Sequence, residues 1–360
     1  MISDPQFRAG PVRRIRAALS LVLCVLLLFS FVPFLYPGTS STPRPSPPGG
    51  SGRWLNLEEA PPVPAFFFRL LTIVFLTIIL SGLAINLQGL LKGRLRVFSP
   101  GPPPRVPWRV GAVVKLAVGF LVLFFVLSLV FDSLLGFFGV DPGESPPWLL
   151  LGNSIIQFGL LLILSMIFLD RYRITRVPAA PGETVPPPPR ETIPAGKLVP
   201  ERGPGEWLGR AREALRGYIC FAPLLVLLIV LASGLARLLG LPGHTHPLVG
   251  PLLEEGRPVL IWPLLLVGVV LAPLAEEVFF RGLLFPALAK PVGAFWSAAI
   301  TAALFAALHF NWVGLIPIFG LGVFLARAYH RTGSILVPIF IHGLHNALIL
   351  TFTILYYRLT

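Results

Sequence analysis

The sequence predicts an all-α fold: a polytopic transmembrane helical bundle of about eight or nine spans. Three observations carry that expectation. Of the 360 residues, 55% are hydrophobic and only 12% are charged, whereas a soluble domain carries about 25% charged residues. The mean hydropathy is +0.80. The chain also repeats apolar runs long enough to cross a bilayer, which takes about 20 helical residues.

In chain order, spans fall near 17–36 ("AALSLVLCVLLLFSFVPFLY"), 65–91, 111–131, 148–169 and 218–240. Four shorter, more interrupted ones follow near 258–275, 292–310, 314–330 and 334–356. The sixth and seventh also read as one long broken helix and its return. The first span has a basic lead-in (Arg8, Arg13, Arg14, Arg16), but "LYPGTSS" is a poor cleavage site, so it reads as a retained signal-anchor.

Loop charge sets the expected orientation. With the N-terminus inside, all but six of the 29 Lys and Arg fall on the inner side; the exceptions are Arg44, Arg53, Arg69, Arg237, Arg257 and Arg358. The loop 132–147 carries Asp132, Asp141 and Glu144 with no basic residue, and 170–216 carries nine basic ones. This asymmetry accounts for the net charge of +13 without a nucleic-acid partner, which would want a basic face on a soluble domain. Anionic membrane lipids are the expected partner for these charges. Cys24 and Cys220 form neither a disulfide framework nor a CxxC metal site.

Two Pro-rich stretches divide the chain. Residues 37–64 form an extracytoplasmic Pro/Gly/Ser-rich loop within an N-terminal four-span region, 1–176. Residues 177–206 form a Pro-rich inner linker, extended and with little to bury. Residues 207–360 form the C-terminal membrane-embedded core, introduced by "EWLGRAREALRG" (206–217), which suits an inner-surface amphipathic helix. The first four spans carry almost no ionisable residue at mid-depth, and Lys115 and Arg69 lie where they can snorkel. The core carries Glu276, Glu277, Arg281, His309, His342, His345 and Asn346.

Such groups are costly in a membrane and mark function by default. Within "LAPLAEEVFFRGLLF" (271–285), Glu277 and Arg281 are i,i+4 with the acid first, the favourable order for a pair. Glu276 points about 100° away and is left over. If the chain reverses around "AKPVG" (289–293), Glu276 and His309 lie at depths of roughly 21 and 25 Å and can meet. His342 and Asn346 share a helix face in "FIHGLHNALIL" (340–350), but at about 12 Å His342 does not match those depths. His345, rotated from His342, reads as structural, and a lone intramembrane His or Asn can be helix-packing glue. His244, His246 and His330 read as solvated loop residues, and Glu254 and Glu255 as a solvated turn.

The set suits hydrolysis. A desolvated glutamate can take a proton from a water held by a histidine, and a histidine with an asparagine amide can cradle an oxyanion. Glu276, His309 and His342 could instead ligate Zn2+ with an open position for water. No serine, cysteine or aspartate is similarly placed beside a histidine.

"EEVFFR" matches EExxxR, "FAALH" (305–309) matches FxxxH, and "HGLHN" (342–346) contains HxxxN. In this order and setting they resemble the CAAX-protease and bacteriocin-processing family, also called the abortive-infection family, over about residues 250–350. The resemblance implies an intramembrane endopeptidase, open to the inner side, acting on a membrane-associated peptide or protein. Glu276 would activate water with His309, His342 and Asn346 would form the oxyanion site, and Glu277 and Arg281 would support Glu276. The family is often labelled metalloprotease, yet no cofactor is required by these roles; Zn2+ is the alternative. A bacterial cytoplasmic membrane is the expected location. Two other readings compete. One is a non-catalytic scaffold or bacteriocin-immunity-type protein. The other is a proton-coupled transporter, which an absent internal repeat disfavours.

Overall fold

In a computed structural model, residues 62–92, 106–137, 147–174, 205–240 and 261–359 are described. The expected first span, the segment before it, residues 37–61 of the loop after it, most of the Pro-rich linker, and His244, His246, Glu254 and Glu255 lie outside these residues. The described chain contains no strand. It forms α1 (Pro62–Leu91), α2 (Val110–Phe137), α3 (Pro147–Ile174) and α4 (Gly205–Leu238). A broken run follows, comprising α5 (Ile261–Leu265), a first π-helical segment (Leu266–Leu271), α6 (Ala272–Glu277), a second π-helical segment (Val278–Leu284) and α7 (Phe285–Ala307). Two helices close the chain, α8 (Leu315–Thr332) and α9 (Leu336–Leu359).

Among the described residues, six helices are long and apolar enough to cross a membrane. The expected spans 258–275 and 292–310 both lie on one of these, Ile261–Ala307, which a break at Gly293 divides. The expected span 314–330 falls on α8, which is not among the six; its last turns carry Arg327, His330 and Arg331. The expected surface helix 206–217 is a correction of another kind. It forms no separate element, because no Pro or Gly pair stops it, and it supplies the first turns of α4.

The reversal expected at 289–293 sits at Gly293, whose φ of 83° and ψ of 164° break the helix in a region open mainly to glycine. Ser297 Oγ donates to the Phe285 carbonyl at 2.7 Å. In a straight helix those residues would be about 18 Å apart, so the two arms of α7 fold against each other.

The two largest apolar clusters among the described residues tie the bundle together. One joins α4, α8 and α9 through Tyr218, Phe221, Leu325 and Ile341, with Phe221 and Phe324 stacked at 4.1 Å. The other joins α2 and α3 to the broken run through Val113, Leu169, Phe280, Leu283 and Phe305. On the outside of the bundle, apolar side chains such as Ile73, Leu80 and Val230 are exposed, as a helix facing lipid requires.

Candidate active site

The prolines of the broken run decide where its backbone is open. Pro273 has no N–H, so it cannot serve the carbonyls four and five residues earlier, Val269 and Gly268. The first π-helical segment ends with Ala272 N–H bonded to Val267 O, which leaves the Gly268 carbonyl without its i+5 donor. Helix α9 approaches both carbonyls. Asn346 Nδ2 donates to Gly268 O at 2.7 Å. A Cβ on Gly343 would stand 2.8 Å from Val269 O, so only glycine admits this approach. His342 is carried in on the same turn.

The acidic pair lies on the last residues of α6. Glu277 is fully buried. Its Oε1 accepts from Arg281 Nη1 at 2.7 Å and from His342 Nδ1 at 2.9 Å. Arg281, also fully buried, donates through Nη2 to the Gly322 carbonyl of α8 at 3.0 Å. Its guanidinium lies 4.7 Å from the Phe305 ring centroid, a cation–π contact. Glu277 Oε2 and Arg281 Nε have no hydrogen-bond partner.

Glu276 is placed differently. Its Oε2 is 3.7 Å from His342 Nε2, and its side chain is 15% exposed. It is the reachable carboxylate of the two. The imidazole of His342 therefore stands between both glutamates, nearly buried. The depth mismatch counted on a uniform α-rise disappears, because the π-helical segments and the fold at Gly293 are not uniform helix.

His309 sits just beyond α7. Its Nδ1 lies 2.7 Å from the Phe305 carbonyl, which can only accept, so Nδ1 carries the proton and Nε2 is left with its lone pair. His309 makes no hydrogen bond or ion pair with Glu276; it and His342 are arranged around Phe305. That ring meets His309 edge-on at 4.7 Å and His342 at 5.5 Å. Phe310, next in sequence, holds a positive φ of 47°, a strained setting for a non-glycine residue.

Glu277 and Arg281 were expected to support Glu276. Their direct contacts run instead to His342 and the α8 backbone. His345 pairs with Tyr218 of α4 (hydroxyl to Nδ1, 3.3 Å), a partner outside any sequence motif. His330 is a correction, since it ends α8 rather than lying in a solvated loop, with its Nδ1 buried and unpartnered. Phe305 appeared in the sequence only as the first letter of FxxxH, where nothing marked it as the hub of two histidines and an arginine.

Among the described residues no three His, Cys, Asp or Glu side chains converge closely enough to hold a metal ion. Glu276, His309 and His342, as placed, do not fit one.

Residues 258–348 match the family profile described as type II CAAX prenyl endopeptidase Rce1-like. The candidate membrane peptidase YdiL of Bacillus subtilis is 30% identical over 86 residues, which is 24% of this chain and 35% of that protein. The membrane-embedded CAAX protease MroQ of Staphylococcus aureus is 36% identical over 92 residues, 24% of this chain and 37% of that protein. The chain thus spans about a third of the length of these relatives. No solved structure matches. The resemblance to the CAAX-protease family holds over the matched segment, which contains every polar residue of the site.

Proposed function

We propose, from the family resemblance of residues 258–348 and the arrangement within them, that the chain is an intramembrane endopeptidase acting on a membrane-associated peptide or protein. The observation that carries this reading is the division of labour between the adjacent glutamates. Glu277 is sealed and spent on Arg281 and His342. Glu276 is reachable, with no hydrogen bond of its own and a histidine 3.7 Å away.

In this mechanism a water gives one proton toward Glu276 and the other toward His309 Nε2, whose lone pair is free. Glu276 removes its proton as the oxygen attacks the scissile carbonyl. His342 acts here as the imidazolium: its Nδ1–H is anchored on Glu277, and its Nε2–H is offered to the developing oxyanion. The second N–H of the Asn346 amide does the same, its first being held by Gly268 O. Donors aimed at that charge are each worth about 100-fold or more in rate. Glu276 then returns the proton to the leaving amine. No step uses a metal. On this proposal the protein lies in a bacterial cytoplasmic membrane with its N-terminus inside, in contact with anionic lipids.

The test is comparative peptidomics of membranes from cells carrying the wild type or Glu276→Gln at matched expression. Cleavage products found only with the wild type support the reading. Identical peptidomes from two folded proteins overturn it in favour of a non-catalytic membrane protein.

A further inference from the structure

Trp108 lies outside the family-matched segment, in the irregular stretch that leads into α2, yet it is the largest fully buried side chain of the described structure. Its indole Nε1–H donates to the carbonyl of Leu283 at 3.0 Å, within the second π-helical segment. Its own carbonyl accepts from Lys290 Nζ at 2.9 Å. Its ring meets Phe168 and Tyr172 of α3 edge-on, each at 5.7 Å.

Leu283 and Lys290 are seven residues apart, about 10 Å of helix, and Pro286 falls between them. Pro286 cannot donate to the carbonyls of Arg281 and Gly282, so the backbone ladder is weakest where the catalytic segment passes into α7. Trp108 grips the chain on both sides of that gap. Two residues from Leu283 lies Arg281, which ties Glu277 to α8.

We propose that Trp108 is a positioning residue for the active site. The segment before α2 splints the second π-helical segment, and through Arg281 and Glu277 it holds His342 in place. The N-terminal helices are then part of the working core. The consequence for activity rests on the protease reading; the splint itself does not.

The experiment follows amide hydrogen exchange by mass spectrometry across residues 278–288, using the full chain in lipid nanodiscs. The variants are Trp108→Phe, which keeps a ring but loses the donor, Lys290→Met, Lys290→Arg and Glu276→Gln. Loss of one hydrogen bond should speed exchange there about fivefold in Trp108→Phe and in Lys290→Met. Lys290→Arg, which restores a donor to the Trp108 carbonyl, should return to the wild-type rate, and Glu276→Gln should match wild type. Exchange in α8 should not change in any variant. Wild-type exchange in both Trp108→Phe and Lys290→Met, or equal loosening of α8, overturns the proposal. If Trp108→Phe does not fold, the Lys290 pair decides alone. Peptidomics on the same set judges the protease reading separately. Products that persist with Glu276→Gln sink that reading, whereas products lost with Glu276→Gln and reduced with Trp108→Phe support both.

Discussion

His342 Nδ1 and Glu277 Oε1 lie 2.9 Å apart and join α9 to the end of α6 inside the bundle. The same carboxylate oxygen holds Arg281, so one buried atom sets the position of a histidine and neutralises an arginine. Breaking a buried pair by removing one partner is far worse than never having had it.

Glu277→Gln therefore acts on the fold first. With Arg281 left as an uncompensated buried charge, the variant should lose about 3–5 kcal/mol, read as a lower denaturation midpoint in detergent. Glu276→Gln removes a reachable carboxylate with no hydrogen bond and should stay within about 1 kcal/mol of wild type. Equal losses from the two would contradict the division between them.

Asn346→Ala removes both the amide bond to Gly268 O and a proposed oxyanion donor. Stability should fall by about 1 kcal/mol and cleavage by about 100-fold or more. A comparison of folded fraction with rate separates the two effects. If the rate falls only in proportion to the folded fraction, Asn346 is a backbone cap alone.

Gly343→Ala puts a methyl against the Val269 carbonyl. Backbone cannot yield as a flexible side chain does, so α9 must move outward by tenths of an ångström. The expected cost is about 1–3 kcal/mol, with His342 displaced from both glutamates and cleavage reduced at least tenfold. Unchanged activity would mean that the crossing of α9 over the first π-helical segment does not set His342.

Because Glu276, His309 and His342 do not converge on a metal position, cleavage should survive dialysis against a strong chelator. Loss of activity on chelation, restored by added Zn2+, would replace the water-and-glutamate mechanism with a metal-dependent one.

Much of this was legible in the residues. The apolar runs mark the helices, and the i,i+4 order of Glu277 and Arg281 predicts their ion pair. The leftover status of Glu276 follows from the 100° step between neighbours, and "AKPVG" marks the reversal. The placement of His342 was not legible. A uniform rise does not give its depth, because Pro273 and Pro286 lie beside two π-helical segments that shift register by an amount no periodicity reveals. Trp108 was hidden for a different reason. It lies in a Pro-rich, aperiodic stretch, and its hydrogen-bond partners are one backbone carbonyl, that of Leu283, and one lysine, Lys290, far along the chain.

The most direct measurement is a time course with purified wild type, Glu276→Gln and Glu277→Gln in liposomes, each supplied with membranes from cells lacking the chain. New peptide N-termini are counted against folded protein. The account predicts products with wild type and a rate lowered about 100- to 10,000-fold with Glu276→Gln, the range of a lost general base, from a protein as stable as wild type. Products forming at the wild-type rate with Glu276→Gln would contradict it.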